Sequence, residues 1–166
     1  MMAGTPPRAA PKLALGLGCD RGTPVDTLDR AVTEALALAQ GAAGDVTAVG
    51  SITLKADEPG LLALAAQHGW SLTFYRPEVL AAVPVPNPSE TVRRHTGTPS
   101  VSEAAALLGA GTDAGGLIVE KYKLRGADGK NATVSIARCA VQSLSSPSPS
   151  LLPTPLSTPL PESQWR

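Results

Sequence analysis

The sequence predicts an α/β fold, a three-layer α/β/α sandwich around a mixed sheet of about five strands. Three observations lead there. Short apolar runs of strand length alternate with segments whose apolar residues recur every three or four positions. Two of those segments open on helix-start signals, Thr23-Pro24 with Asp26, and Ser100 with Glu103. The last two strand-like runs are joined by Gly126-Ala127-Asp128-Gly129, whose Asp-Gly pair marks an antiparallel hairpin.

The elements follow in order. Residues 12–17 are the first strand, ending in the glycine turn Gly16 to Gly22. The first helix takes Thr23 as N-cap and buries Val25, Leu28, Val32, Leu36 and Ala39, and Gly41 and Gly44 end it. Residues 46–52 are the second strand. A loop carrying Lys55, Asp57 and Glu58 leads to a helix over 59–68 with Leu61, Leu62, Leu64 and Ala65 inward and Gly69 as its stop. Residues 71–75 are the third strand, followed by a short helix from Arg76-Pro77-Glu78. Three prolines in Val83-Pro84-Val85-Pro86-Asn87-Pro88 exclude helix and central strand, so this is an extended crossing segment. One or two helical turns fit 89–96, an Ala-rich helix 101–109, and strands 117–124 and 132–138. Residues 1–11 are expected to be a flexible N-terminus, 12–138 the folded domain, and the Pro/Ser-rich 139–166 a disordered tail.

Composition excludes several functions. The formal net charge is zero, so nothing favours nucleic acid, which requires clustered excess Lys and Arg. Aromatic content is 3%, so the core must be built from Ala, Leu and Val. Two distant cysteines, Cys19 and Cys139, form neither a metal-type spacing nor a disulfide framework, and a reduced, cytoplasmic setting is expected with no metal and no cofactor. No apolar run is long enough for a membrane span.

The residues that carry chemistry cluster after strands. Gly16, Gly18 and Gly22 would let the first turn approach a ligand, while the following helix start at Thr23 offers backbone N–H groups and Arg21 a full positive charge. The spacing is one residue too long for a dinucleotide fingerprint, and the second strand lacks an acidic residue at its end. Cys19 is either a thiol activated by the helix start or a small buried side chain, and the second is favoured because neither His68 nor His95 follows a strand nearby. Arg21, Lys55 and Arg76 follow three successive strands. In a parallel sheet those ends share one rim, where Ser100 adds a further helix start. The expected ligand is a multiply anionic small molecule. Val119, Lys121 and Lys123 alternate on one strand face, and Lys121 is read as pointing into the site.

The order Gly16-Leu17-Gly18-Cys19-x-Arg21-Gly22-Thr23, Lys55-x-x-Glu58-x-Gly60-Leu61, Ser100-Val101-x-Glu103-Ala104-Ala105-Ala106, Lys121, then Ala132-Thr133-Val134-x-Ile136-Ala137-Arg138 resembles the CobE / CbiG C-terminal domain family of cobalamin biosynthesis. The likeness spans roughly 12–138. Family members usually carry a second Arg where this chain has Asp20. The resemblance implies a mixed-sheet α/β/α sandwich and a role in corrin ring synthesis, with a corrin or precorrin intermediate as ligand and other cobalamin-pathway enzymes as partners. This chain resembles the standalone, CobE-like form. The longer members act in opening a precorrin lactone. If this chain did so, Lys55 or Lys121 would polarise the carbonyl and Glu58 or Glu103 would activate water. A third reading is a phosphate- or nucleotide-binding regulatory domain built on the glycine turn.

Overall fold

The computed structural model describes residues 12–140. The expected N-terminal segment 1–11, and all of the expected tail beyond residue 140, lie outside them. Ten main elements follow one another: β1 (Leu13–Cys19), α1 (Val25–Leu38), β2 (Val46–Ile52), α2 (Pro59–His68), β3 (Leu72–Tyr75), α3 (Pro77–Ala81), α4 (Glu90–Thr96), α5 (Val101–Ala110), β4 (Leu117–Arg125) and β5 (Asn131–Arg138). The sheet order is β3-β2-β1-β5-β4. β1, β2 and β3 are parallel, and β5 runs antiparallel to both β1 and β4. This is the mixed five-stranded sheet with a closing hairpin that the sequence predicts, with Gly129 at φ +85° in the hairpin turn.

β1 sits at the centre and sorts its side chains by period 2. Leu13, Leu15 and Leu17 point to one face, where Leu28, Val32 and Leu36 of α1 and Leu61 and Leu64 of α2 close the larger core. Ala14 points to the other face, under Ala106, Leu107 and Ala110 of α5. A neighbouring cluster joins Ile52, Leu80 of α3 and Val101, Ala104 and Ala105 of α5. Helices therefore cover both faces of the sheet.

The second face is made of small residues, and that sets the layer spacing. A Cβ on Gly16 would overlap the Ser102 carbonyl oxygen and stand 2.7 Å from the Ala106 nitrogen. A Cβ on Gly50 of β2 would stand 3.4 Å from that of Ala105. The backbone of α5 thus lies directly on β1. Gly16 is a strand residue that admits a helix, not part of a ligand-facing turn as the sequence reading had it. β1 runs two residues further than expected, because Gly18 and Cys19 stay paired with Thr133 and Ala132 of β5.

Other boundaries shift for physical reasons. Thr23 is not the N-cap of α1. Pro24 holds that position without a side-chain cap, and buried Thr23 donates its hydroxyl to the Asp20 carbonyl at 2.6 Å. At the other end of α1 the left-handed residue is Gln40 (φ 56°) rather than a glycine. A Cβ on Gly41 would lie 2.7 Å from Leu13 Cδ1, so that glycine serves packing. Leu62 is 46% exposed and not part of the inward face of α2. Residues 139 and 140 continue the folded part, through hydrogen bonds from Cys139 N to Lys12 O and from Ala140 N to Ala110 O, both 2.9 Å.

In β4 the expected alternation is broken. Val119 pairs with Ile136 and Tyr122 with Val134, so three steps on β4 match two on β5. This is a β-bulge at Glu120 and Lys121. It sends Val119 to the larger core with Tyr122 and Leu124, and turns Lys121 and Lys123 to the opposite face. Val119 does not share the lysines' face. Ser135 of β5 fixes the bulge by donating to the Glu120 carbonyl oxygen and bonding the Ser102 hydroxyl at 2.9 Å.

The close α5–β1 contact yields a stability prediction. Gly16→Ala is expected to lower the unfolding free energy by at least about 2 kcal/mol, since neither backbone can yield locally. Urea unfolding of the variant against Gly44→Ala, where a Cβ meets nothing within 4 Å, checks it.

Candidate functional site

A cavity of about 470 Å³ opens at the carboxyl ends of β1 and β2, on the α5 side of the sheet. Gly18, Cys19, Asp20 and Arg21 form its β1 wall, and Ile52 and Lys55 its β2 wall. The first turn of α5 supplies Ser100, Val101 and Ser102. The hairpin supplies Lys121, Lys123, Asn131 and Thr133. The short helix α4 covers the remaining side with Ser89, Thr91, Val92, His95 and Thr96. Its volume is that of a typical small-molecule site, for which roughly 300–1,000 Å³ is usual.

Six of the residues singled out from the sequence meet here: Gly18, Cys19, Arg21, Lys55, Ser100 and Lys121. The rim argument thus brings Arg21 and Lys55 together from separate strands. The other six lie elsewhere. Gly16 is covered by α5. Gly22 adopts φ +78° and donates its N–H to Glu58, which makes it a turn residue outside the cavity lining. Thr23 is buried beneath the same turn. Arg76 pairs with the exposed Glu78 at 3.5 Å at the start of α3 and does not reach the cavity.

The last two, Glu58 and Glu103, are both buried and both committed to internal bonds. Glu58 accepts from Gly22 N at 2.9 Å and from Arg21 Nη1 at 3.3 Å. Glu103 accepts from the backbone N–H of Asn87 at 3.2 Å and from its side-chain amide at 2.6 Å. The expected capping box is therefore only half formed. Ser100 Oγ accepts from Glu103 N at 3.4 Å, but the Glu103 carboxylate turns to the Pro-rich crossing segment instead of reaching back. Neither carboxylate is placed to activate a water in the cavity.

Arg21 is also tethered. Its guanidinium donates to Asp57 at 2.8 Å, to Glu58 and to the Leu54 carbonyl oxygen. The Asp57 contact is exposed and holds that carboxyl below the usual carboxylate range through the hydrogen bond and charge of Arg21. Asp20 is likewise occupied, accepting from Asn131 N at 2.8 Å and Nδ2 at 3.0 Å, so it ties the end of β1 to the start of β5. The positive field in the cavity comes chiefly from lysines. Lys55 and Lys123 make no ion pair among the described residues. Lys121 donates to the Asn87 carbonyl at 2.8 Å, which leaves two of its three N–H bonds for a ligand. Burial pulls the Lys121 ammonium below its ordinary pKa, while the charge of Glu103 pushes it back up.

Sequence reasoning missed Lys123 as a site residue and missed the whole α4 wall. The period-2 step from Lys121 was the available signal for Lys123. No local signal places α4, because its position depends on the path of residues 83–88. Among the described residues no three His, Cys, Asp or Glu side chains group as a metal site. No helix among them is long and apolar enough to cross a membrane.

Comparisons with known proteins agree with this architecture. Residues 13–137 match the family model described as cobalamin synthesis G C-terminus. The chain is similar to a protein named cobalt-precorrin-5A hydrolase from Priestia megaterium, with 38% identity over 125 residues, covering 75% of this chain and 32% of that protein. It is also similar to protein CobE from Sinorhizobium sp, with 42% identity over 116 residues, 69% of this chain and 75% of the relative. The chain thus spans about a third of the first relative's length and three quarters of the second's. The crystal structure of CobE, a protein from the cobalamin (vitamin B12) biosynthetic pathway, superposes with a TM-score of 0.63 at 31% identity, over 80% of this chain and 94% of that one.

The cavity thiol gives a direct chemical prediction. Burial pushes Cys19 up to about 11, outweighing the opposing charge of Lys55. The thiol, half-buried in the cavity wall, is thus protonated at neutral pH. Alkylation of Cys19 by iodoacetamide at pH 8, followed by peptide mass spectrometry, is expected to run roughly two orders of magnitude slower than for a free cysteine.

Proposed function

From the premise that the chain belongs to the cobalamin synthesis G C-terminal family of cobalamin biosynthesis proteins, we propose that its cavity seats the carboxylate-bearing edge of a corrin or precorrin intermediate. One observation carries this reading. Lys55 from the loop after β2 and Lys121 and Lys123 from β4 converge on one cavity, while Asp20, Glu58 and Glu103 are held by internal partners. An anionic ligand therefore meets uncompensated ammonium groups. Hydroxyls of Ser89 and Thr91, and the first turn of α5, add neutral donors beside them. Ile52, Val92 and Val101 give the apolar surface that a macrocycle requires.

The same geometry weighs against the two alternatives. Lactone hydrolysis at this site would need a base for water, and both carboxylates nominated for that task are bonded elsewhere. A nucleotide-binding turn would need its glycines around a phosphate, whereas Gly16 is covered by helix and Gly22 lies outside the cavity lining. Binding without chemistry of its own is the function these residues support, with other cobalamin-pathway enzymes as the natural source and destination of the intermediate.

Absorbance titration of the purified chain with hydrogenobyrinic acid tests the reading. Lys55→Ala, Lys121→Ala and Lys123→Ala are each expected to weaken binding by about tenfold, the loss of one charge-assisted hydrogen bond. Arg76→Ala, outside the cavity, is expected to leave affinity unchanged. Absence of binding by the native chain, or three lysine variants as tight as the native chain, would overturn it.

A further inference from the structure

The Pro-rich segment that links α3 to α4 packs Val83 and Val85 on the core and takes its side-chain hydrogen bonds at Asn87. Asn87 is gripped from two sides. On the α5 side the buried carboxylate of Glu103 takes both its backbone N–H and its side-chain amide. On the β4 side its amide also donates to Glu120 at 3.0 Å, and its carbonyl oxygen accepts from Lys121 Nζ at 2.8 Å. Glu120 and Lys121 are the two residues of the β-bulge. Two residues after Asn87 comes Ser89, the N-cap of α4, whose own N–H bonds the Pro99 carbonyl just before α5. The chain order forces a consequence. Where Asn87 is held, both the Lys121 ammonium and the start of the α4 wall are held.

On this basis we propose that Glu103 and Asn87 are positioning residues of the anion site, setting the location of Lys121 and of α4 together and so the spacing of the groups that a polycarboxylate must match. The inference rests on the binding reading above. Burying a carboxylate is costly unless its oxygens are satisfied by strong donors. Here both donors belong to Asn87, within that crossing segment. Glu103 is not part of the cavity lining and acts on the ligand through Asn87. Its negative charge also sits near Lys121 and favours the ammonium form that an anion needs.

Glu103→Gln separates this role from simple support of the fold. Glutamine keeps the volume but replaces one acceptor oxygen with an amide that faces the Asn87 donors. Affinity for hydrogenobyrinic acid is read by absorbance, and fold stability by urea unfolding, for the native chain, Glu103→Gln, Lys121→Ala and the double variant. The expected result is that Glu103→Gln weakens binding by about tenfold, and that the loss in the double variant falls well short of the product of the two single losses, because part of the Glu103 effect runs through Lys121 and part through α4. Losses that multiply in the double variant, or native affinity in a Glu103→Gln protein that is only less stable, would overturn the proposal. If Glu103→Gln does not fold, Asn87→Ala replaces it in the same cycle with the same expected and overturning results. Failure of the native chain to bind would overturn the binding reading itself. Binding by the native chain with independent losses would overturn only the positioning role.

Discussion

The contact on which the rest depends is the seating of α5 on β1. Small residues on both partners let the two backbones meet, and Gly16 under Ser102 is the closest point. Dense packing leaves little room for adjustment at such a contact. With α5 held there, its first turn comes to rest beside the ends of β1 and β2, and Ser100, Val101 and Ser102 become cavity wall. Ser102 also reaches Ser135, which bonds the bulged strand β4. One helix thus aligns the parallel half of the sheet with the hairpin that carries the lysines.

Around that contact the protein divides its charges by location. The carboxylates near the site serve as internal anchors. Glu58 holds the turn after β1, Glu103 holds the crossing segment, and Asp20 joins β1 to β5. Each accepts from backbone or amide N–H groups, and Glu58 also from the Arg21 guanidinium. The lysines are left to face the opening. A molecule with no formal net charge thereby presents a locally positive cavity. Position 20 illustrates the division. Asp20 lies in the cavity wall, yet its carboxylate bridges two strands through Asn131.

Much of the fold was legible because it rests on local rules. The apolar run Leu13 to Leu17, the helical period from Val25, the turn at Gly129 and the N-cap at Ser100 each follow from neighbouring residues. The rim argument placed Arg21 and Lys55 together because parallel strands share a direction. The bulge at Glu120 and Lys121 was not legible, since an extra residue in a strand leaves the period intact on either side and only the pairing partner reveals it. The roles of Glu58 and Glu103 were hidden for a similar reason. A glutamate after a strand or at a helix start reads as a surface group, and its burial depends on what crosses above it.

The sequence by itself determined the order and kind of the elements, the antiparallel hairpin that closes the sheet and the family to which the chain belongs. Those properties depend on side-chain size, period and turn chemistry over a few residues. The tertiary structure alone decided which charges face the cavity and which are spent inside. That choice turns on the path of residues 83–88 and on the register of β4 against β5, where residues distant in the chain compete for the same hydrogen bonds. Asn87 wins the carboxylate of Glu103, and Lys121 is left lining the cavity.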